Sequence, residues 1–236
     1  MPNLSAHLGM AKNAASRLKH PTIDMHMGAF LLGSVSPDIR AMTKSDRYDT
    51  HFVDLNFEKE GEGLNVLFHT HPDLKQASGL TEATRAFIVG YASHLLADEL
   101  WILELYRPYF GNREIFKDPI RGDIMDRALQ LELDRREQVS LGGLETLRSF
   151  MVDAEKDVEV GFISSSDMHA WREWIEGTLD WGFNWDRLNF MARRLASRSN
   201  NISEDHIKVI VEEFLYSVPR GLDSIYQVIP IERFEA

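Results

Sequence analysis

Apolar residues recur at helical rather than strand spacing along most of the chain. Between Ser5 and Lys19, Leu8, Ala11, Ala15 and Leu18 return every three or four positions. This predicts a helix with Ser5 as its cap and Pro21 just past its end. A second helix is predicted after Thr22, with Met25, Phe30 and Leu32 as apolar positions. It should stop near Ser36 and Pro37, because a residue before proline avoids helical geometry. Residues 41–80 hold no sustained period. Gly61, Gly63, Pro72 and Gly79 interrupt short apolar stretches such as Leu64 to Phe68, which reads as loops with one or two short helices, an arrangement common at functional sites. The strongest helical pattern runs from Leu80 to Arg107, with Thr81 as cap and Pro108 as its limit, and would be about 40 Å long at 1.5 Å per residue. Helices are predicted again over about 118–138, 142–155, 167–198 and 203–216, with Val158 to Ile163 as an extended stretch. Trp171, Trp174, Trp181 and Trp185 would share one face of the 167–198 helix. A packing stripe explains that face; a lipid-contact or homodimer face is the alternative. The expected fold class is all-α, a multi-helix bundle forming a single domain over residues 1–236. Residues 1–110 would be its site-bearing half and 111–236 its buttress.

The composition narrows the chemistry. Hydrophobic residues make up 44% of the 236 positions and charged residues 27%, enough apolar material for a real core. The formal net charge of -11 argues against affinity through a broad phosphate-binding surface, so nucleic acid is not expected as a large surface partner. A small anionic substrate remains compatible, since a bound metal reverses the local field. Cysteine is absent, which excludes disulfides and thiolate ligands; any metal must be held by histidine, carboxylate or backbone oxygen. His94, Asp98, Glu99 and Glu104 interrupt the longest apolar run, Ala86 to Leu105, so no transmembrane segment is expected. Without a basic segment and apolar core at the N-terminus, no signal peptide is expected either, and the expected location is cytoplasmic.

The candidate chemistry centres on Gly90-Tyr-Ala-Ser-His94-Leu-Leu-Ala-Asp98-Glu-Leu-Trp101. His94 and Asp98, four apart on a helix, project from one face with Cβ atoms about 5–6 Å apart. Their neighbours Phe87, Ile88, Tyr91, Leu95 and Trp101 are apolar, and a carboxylate turned into such surroundings needs a partner charge or a metal. Alone, the pair is more often a hydrogen-bonded pair or a surface feature than a metal site. Asp38 follows a small-residue helix ending in Pro37-Asp38 and is either a ligand or a turn aspartate. His51 lies between Thr50 and Phe52. His7, in Leu4-Ser-Ala-His7-Leu8-Gly9, is either a ligand or a core histidine.

The order His, Pro-Asp, His, His-x-x-x-Asp over residues 1 to about 105 resembles the zinc-dependent phospholipase C superfamily, which includes the fungal single-strand nucleases. The resemblance implies that Asp38, His51, His94 and Asp98 hold one zinc. It further implies that His7 binds a second zinc sharing the Asp98 carboxylate. Two imidazoles and two carboxylates suit zinc and tolerate manganese or iron. The superfamily's additional zinc uses a histidine soon after the His-x-x-x-Asp motif and a later His-x-x-x-Glu/Asp. Here Glu99 to Glu104 contain no histidine, and His169 with Glu173 is the one later pair of that form.

These readings predict a metal-dependent phosphoester hydrolase acting on a small substrate, with one or two zinc ions. Asp38 would serve as ligand and general base, and His69 or His71, in Phe68-His-Thr-His-Pro72, would protonate the leaving oxygen. Arg40 is a candidate phosphate contact. The alternative expectation is a metal-stabilised or metal-free helical interaction protein without catalysis.

Overall fold

The computed structural model describes residues 2–140, 144–179, 182–196 and 203–229, and among them every regular element is helical. The first hundred residues form α1 (Leu4–Leu18), α2 (Pro21–Met25), α3 (Met27–Gly33), a 3₁₀ turn (Ser36–Ile39), α4 (Arg40–Thr43), α5 (Arg47–His51), α6 (Glu62–Thr70) and α7 (Glu82–Leu100). A π-helical stretch, Trp101–Phe110, carries Pro108. Then come α8 (Pro119–Ser140), α9 (Leu144–Met151), α10 (Ser165–Leu179), α11 (Arg187–Ala196), α12 (Glu204–Tyr216) and α13 (Val218–Tyr226).

Two compact units are present. The first combines the described residues up to Leu100 with Arg136–Gly182. Its core joins Leu8, Phe30, Leu31, Phe87 and Tyr91 to Leu147, Met151 and Trp171. The second combines Trp101–Arg135 with the chain from Phe183 onward, around Ile124, Leu131, Leu188, Ile210 and Phe214. Inside the second unit, α8 buries polar groups that are paired: Trp101 Nε1 donates to Asp126 Oδ1 at 2.8 Å, and Gln130 Nε2 donates to Asp126 Oδ2 at 2.7 Å. By length and composition the run Glu82–Phe110 would suffice to cross a bilayer, against the sequence expectation, but 61% of its apolar window is buried in protein.

Within the first unit, α3 and α7 make the most intimate pair, and two glycines are the reason. A Cβ at Gly33 would collide with the carbonyl oxygen of Phe87, and a Cβ at Gly90 with that of Phe30. The two backbones therefore touch directly, which brings the end of α3 level with the middle of α7.

Several predicted boundaries move. Asn3, not Ser5, occupies the cap position of α1, and Ser5 is buried, accepting from Gln138 Nε2 at 3.3 Å. Thr81 does cap α7, accepting from Thr84 N at 3.0 Å. The helix predicted after Thr22 divides at His26 into α2 and α3. Val158 to Ile163 forms no strand. The single helix predicted over 167–198 is two, α10 and α11. Gly182 takes a left-handed φ of 44°, and the Asn184 side chain accepts from Asp186 N at 2.8 Å, so a turn starts where the apolar period alone would continue. The tryptophan face is therefore broken. Trp171 is buried and stacks on Trp174 with centroids 4.7 Å apart, Trp185 packs on Phe183 and Phe214 in the second unit, and Trp181 lies outside the described residues. The sequence pattern also missed α13.

Candidate metal centre

Four elements deliver the polar side chains. His7 comes from α1, Asp38 from the 3₁₀ turn after α3, Arg47 and His51 from α5, and His94 and Asp98 from α7. Each position has a local cause. Ser36 Oγ donates to Leu32 O at 2.8 Å and Asp38 N to Val35 O at 3.2 Å, which winds the Ser36–Ile39 turn tightly and fixes where Asp38 emerges. In α5 the Asp49 carboxylate reaches back to Asp46 N at 3.1 Å, a reciprocal N-terminal contact of capping-box type. Phe52 adopts φ 61°, ending the helix directly after His51. That left-handed geometry costs a non-glycine residue about 1–2 kcal/mol. Tyr91, fully buried on α7, donates its hydroxyl to Thr50 O and ties α5 to α7.

Two of the imidazoles have their Nδ1 atoms engaged. His94 Nδ1 donates to the backbone carbonyl oxygen of Ser34 at 2.9 Å, and the Ser34 hydroxyl separately donates to Leu31 O. His51 Nδ1 lies 3.0 Å from Thr50 Oγ1 and is engaged by that hydroxyl. Both contacts leave Nε2 free, the arrangement that second-shell partners impose on metal-binding histidines.

Those free atoms face one another. His51 Nε2 is 3.3 Å and His94 Nε2 3.8 Å from Asp98 Oδ2, His7 Nε2 is 3.4 Å from Asp98 Oδ1, and His51 Nε2 is 3.9 Å from Asp38 Oδ1. The His7 and His94 rings stack 3.7 Å apart. His51, His94 and Asp98 are 1% exposed and His7 2%, yet His7 Nε2, His51 Nε2, His94 Nε2 and Asp98 Oδ1 have no hydrogen-bond partner. Buried unpaired groups of this kind cost about 1–3 kcal/mol each. Three imidazole nitrogens and a carboxylate oxygen clustered in this way match the donor set of a borderline cation such as zinc. Ligand atoms lie within 4.8 Å of one another in two sets, His7, His94 and Asp98, and Asp38, His51 and His94. His94 is common to both.

The electrostatics agree. Burial and the neighbouring His7 hold His94 well below its ordinary pKa, hence neutral. Burial alone would raise the Asp98 carboxyl, but the imidazoles of His94, His51 and His7 outweigh it and keep Asp98 well below the usual carboxylate range. Asp38, the solvent-facing member with 38% of its side chain exposed, is pushed upward by desolvation and by the Asp98 charge.

Sequence reasoning missed Arg47, whose Nη2 lies 3.2 Å from Asp98 Oδ2. Its position four residues before His51 on one short helix was the available signal. It also missed Glu99, which is buried and accepts from the backbone N–H groups of Gly61 and Gly63, the latter at 2.7 Å. Glu99 thereby clamps the loop after His51 onto α7. Glu99→Ala leaves both donors without their acceptor, and we expect unfolding free energy to fall by about 1–3 kcal/mol, measured by urea titration.

His69 is exposed in the last turn of α6, and His71 follows that helix. His71 is half-buried against the rings of Phe52, 5.9 Å away, and Phe162, 5.0 Å away. Neither joins the two ligand sets. His169 lies on α10, paired with Glu155 at 2.6 Å and Glu173 at 3.4 Å, and is likewise outside them.

Fold and site together define an all-helical protein with a buried histidine–aspartate centre suited to a divalent cation. The family described as zinc dependent phospholipase C matches residues 6–101, the segment that supplies every one of these side chains, and the resemblance read from the ligand order is found there independently. No curated protein and no solved structure matches the chain.

Proposed function

We propose that this protein is a zinc-dependent phosphoester hydrolase whose centre is formed by His7, Asp38, His51, His94 and Asp98. The observation that carries the reading is two overlapping sets of mutually close donor atoms, His7, His94 and Asp98, and Asp38, His51 and His94, in which the three imidazole Nε2 atoms and Asp98 Oδ1 are buried and unpartnered. Asp38, His51, His94 and Asp98 would hold one ion, and His7 with Asp98 would hold another. When bound, zinc supplies Lewis acidity, polarising a phosphoryl oxygen and making water acidic near neutral pH.

The protein's own groups account for the rest. The His94 and His51 rings are oriented through their Nδ1 contacts with the Ser34 carbonyl and the Thr50 hydroxyl, which leaves Nε2 to serve as the ligand atom. Asp38 is the one of the two carboxylates with access to solvent, and is therefore the one placed to act as the base. In this proposal Oδ1 faces His51, and Oδ2 accepts the proton of the attacking water. His71, steadied by Phe52 and Phe162, is assigned the proton donated to the leaving oxygen; His69 is its alternative. Arg40, half-buried two residues past Asp38, remains a candidate phosphate contact.

The test is metal content followed by turnover. Zinc uptake by purified protein should reach one or two equivalents and raise the melting temperature, by an amount equivalent to about 2.7 kcal/mol at a free zinc concentration 100 times Kd. A chelator should reverse the shift. Phosphomonoester and phosphodiester hydrolysis should disappear in His94→Ala. Uptake without any turnover would leave a metal-stabilised interaction protein as the correct reading, and no uptake would remove the metal altogether.

A further inference from the structure

Arg47 is anomalous for a residue inside a cation site. Its side chain is only 10% exposed, and one guanidinium nitrogen, Nη2, pairs with Asp98 Oδ2. The other two nitrogens, Nε and Nη1, are buried and have no hydrogen-bond partner. A guanidinium offers five N–H donors in a rigid planar fork, matched to the oxygens of carboxylate or phosphate. Here the Asp98 pair uses one edge and leaves the rest of the fork unsatisfied.

Charge balance sharpens the anomaly. Counted by formal side-chain charge, the two carboxylates Asp38 and Asp98 against the one guanidinium leave a single negative charge. One divalent cation makes the centre net positive, and a second makes it more so. A buried positive excess that includes a fixed guanidinium is unfavourable unless an anion enters with it. Unsatisfied N–H donors and unbalanced positive charge call for the same remedy, an anionic group with several acceptor oxygens.

We propose that Arg47 is the anion-recognising residue of this centre, donating from one of its unsatisfied nitrogens, Nε or Nη1, to a non-bridging oxygen of a phosphoryl group while Nη2 keeps its bond to Asp98. This rests on the phosphoester reading above and assigns Arg47 the selection of an ionised non-bridging oxygen over an uncharged carboxylic ester. The recognised chemistry is the phosphoryl group itself, whether on a lipid headgroup or on a small soluble ester.

The test uses zinc-loaded full-length protein with inorganic phosphate as the probe. Calorimetric titration is run on wild type, Arg47→Gln and Arg47→Lys, with zinc stoichiometry measured on the same samples. Arg47→Gln should bind phosphate at least tenfold more weakly at unchanged zinc content. Arg47→Lys, which keeps the charge but loses the fork, should fall severalfold. If Arg47→Gln does not fold, Arg47→Lys decides alone. Steady-state turnover should show the loss mainly in KM with soluble monoesters and with phospholipid micelles alike; a defect confined to micelles would assign the ligand to the lipid source. Equal phosphate affinity in wild type and variant, with zinc retained, overturns the role of Arg47. Loss of zinc from Arg47→Lys also overturns it, because Arg47 would then act only by holding Asp98. Failure of wild type to take up zinc is a separate result and overturns the metal reading beneath it.

Discussion

Asp98→Ala should be the most damaging single substitution in the centre, abolishing zinc uptake and lowering the stability of metal-free protein by about 3–5 kcal/mol. Asp98 is the group on which His7, His51, His94 and Arg47 all converge. Its removal takes a ligand from both candidate ions. It also strands the Arg47 guanidinium, which is nine-tenths buried and already has two unpartnered nitrogens. An uncompensated buried charge dominates the cost, more than the lost contacts themselves. The check is therefore a pair of measurements. Chemical denaturation of apoprotein should show the large loss for Asp98→Ala, and the double variant Asp98→Leu with Arg47→Met should recover most of it while still failing to bind zinc. A double variant no more stable than the single one would show that the charge imbalance is not what Asp98 relieves.

Gly90→Ala should destabilise the first unit by about 2–3 kcal/mol, against the ordinary expectation for a helix. Replacing glycine by alanine inside a helix stabilises by roughly 0.5–1 kcal/mol through the backbone. Here the added Cβ would meet the carbonyl oxygen of Phe30, a backbone atom that cannot rotate away. Overpacking of this kind costs typically about 1–3 kcal/mol and occasionally more, so the steric term wins. The displacement should also reach the site, because α3 ends in Ser34, whose carbonyl orients His94. Zinc affinity should therefore drop with stability. Gly177→Ala on α10 is the control: that glycine is exposed with nothing near its Cβ position, so the variant should be neutral or slightly stabilised. Thermal unfolding of the two variants side by side settles the matter, and a Gly90→Ala protein as stable as Gly177→Ala would refute the close-contact account.

The chain shows two kinds of legibility. Elements with a local cause were readable: the apolar period of α1 and α7, the Thr81 cap, and the four-residue spacing of His94 and Asp98. Where a turn signal competed with a continuing period, at Gly182 and Asn184, the period gave the wrong answer. The ligand residue types were visible because His and Asp are conspicuous among apolar neighbours. Arg47 and Glu99 were not, since a charged residue on a short helix or beside another acid looks the same whether buried or solvated.

By itself, the sequence determined that this protein is helical, that its possible ligands are imidazoles and carboxylates, and that two of them share a face of α7. These properties follow from short-range spacing and composition. Only the tertiary structure decided which side chains share a centre, that their Nε2 atoms are left unpaired, and that a guanidinium stands beside them. Those outcomes depend on how closely α3, α5 and α7 approach, and that distance is set by contacts between residues thirty to sixty positions apart, for which no local pattern exists.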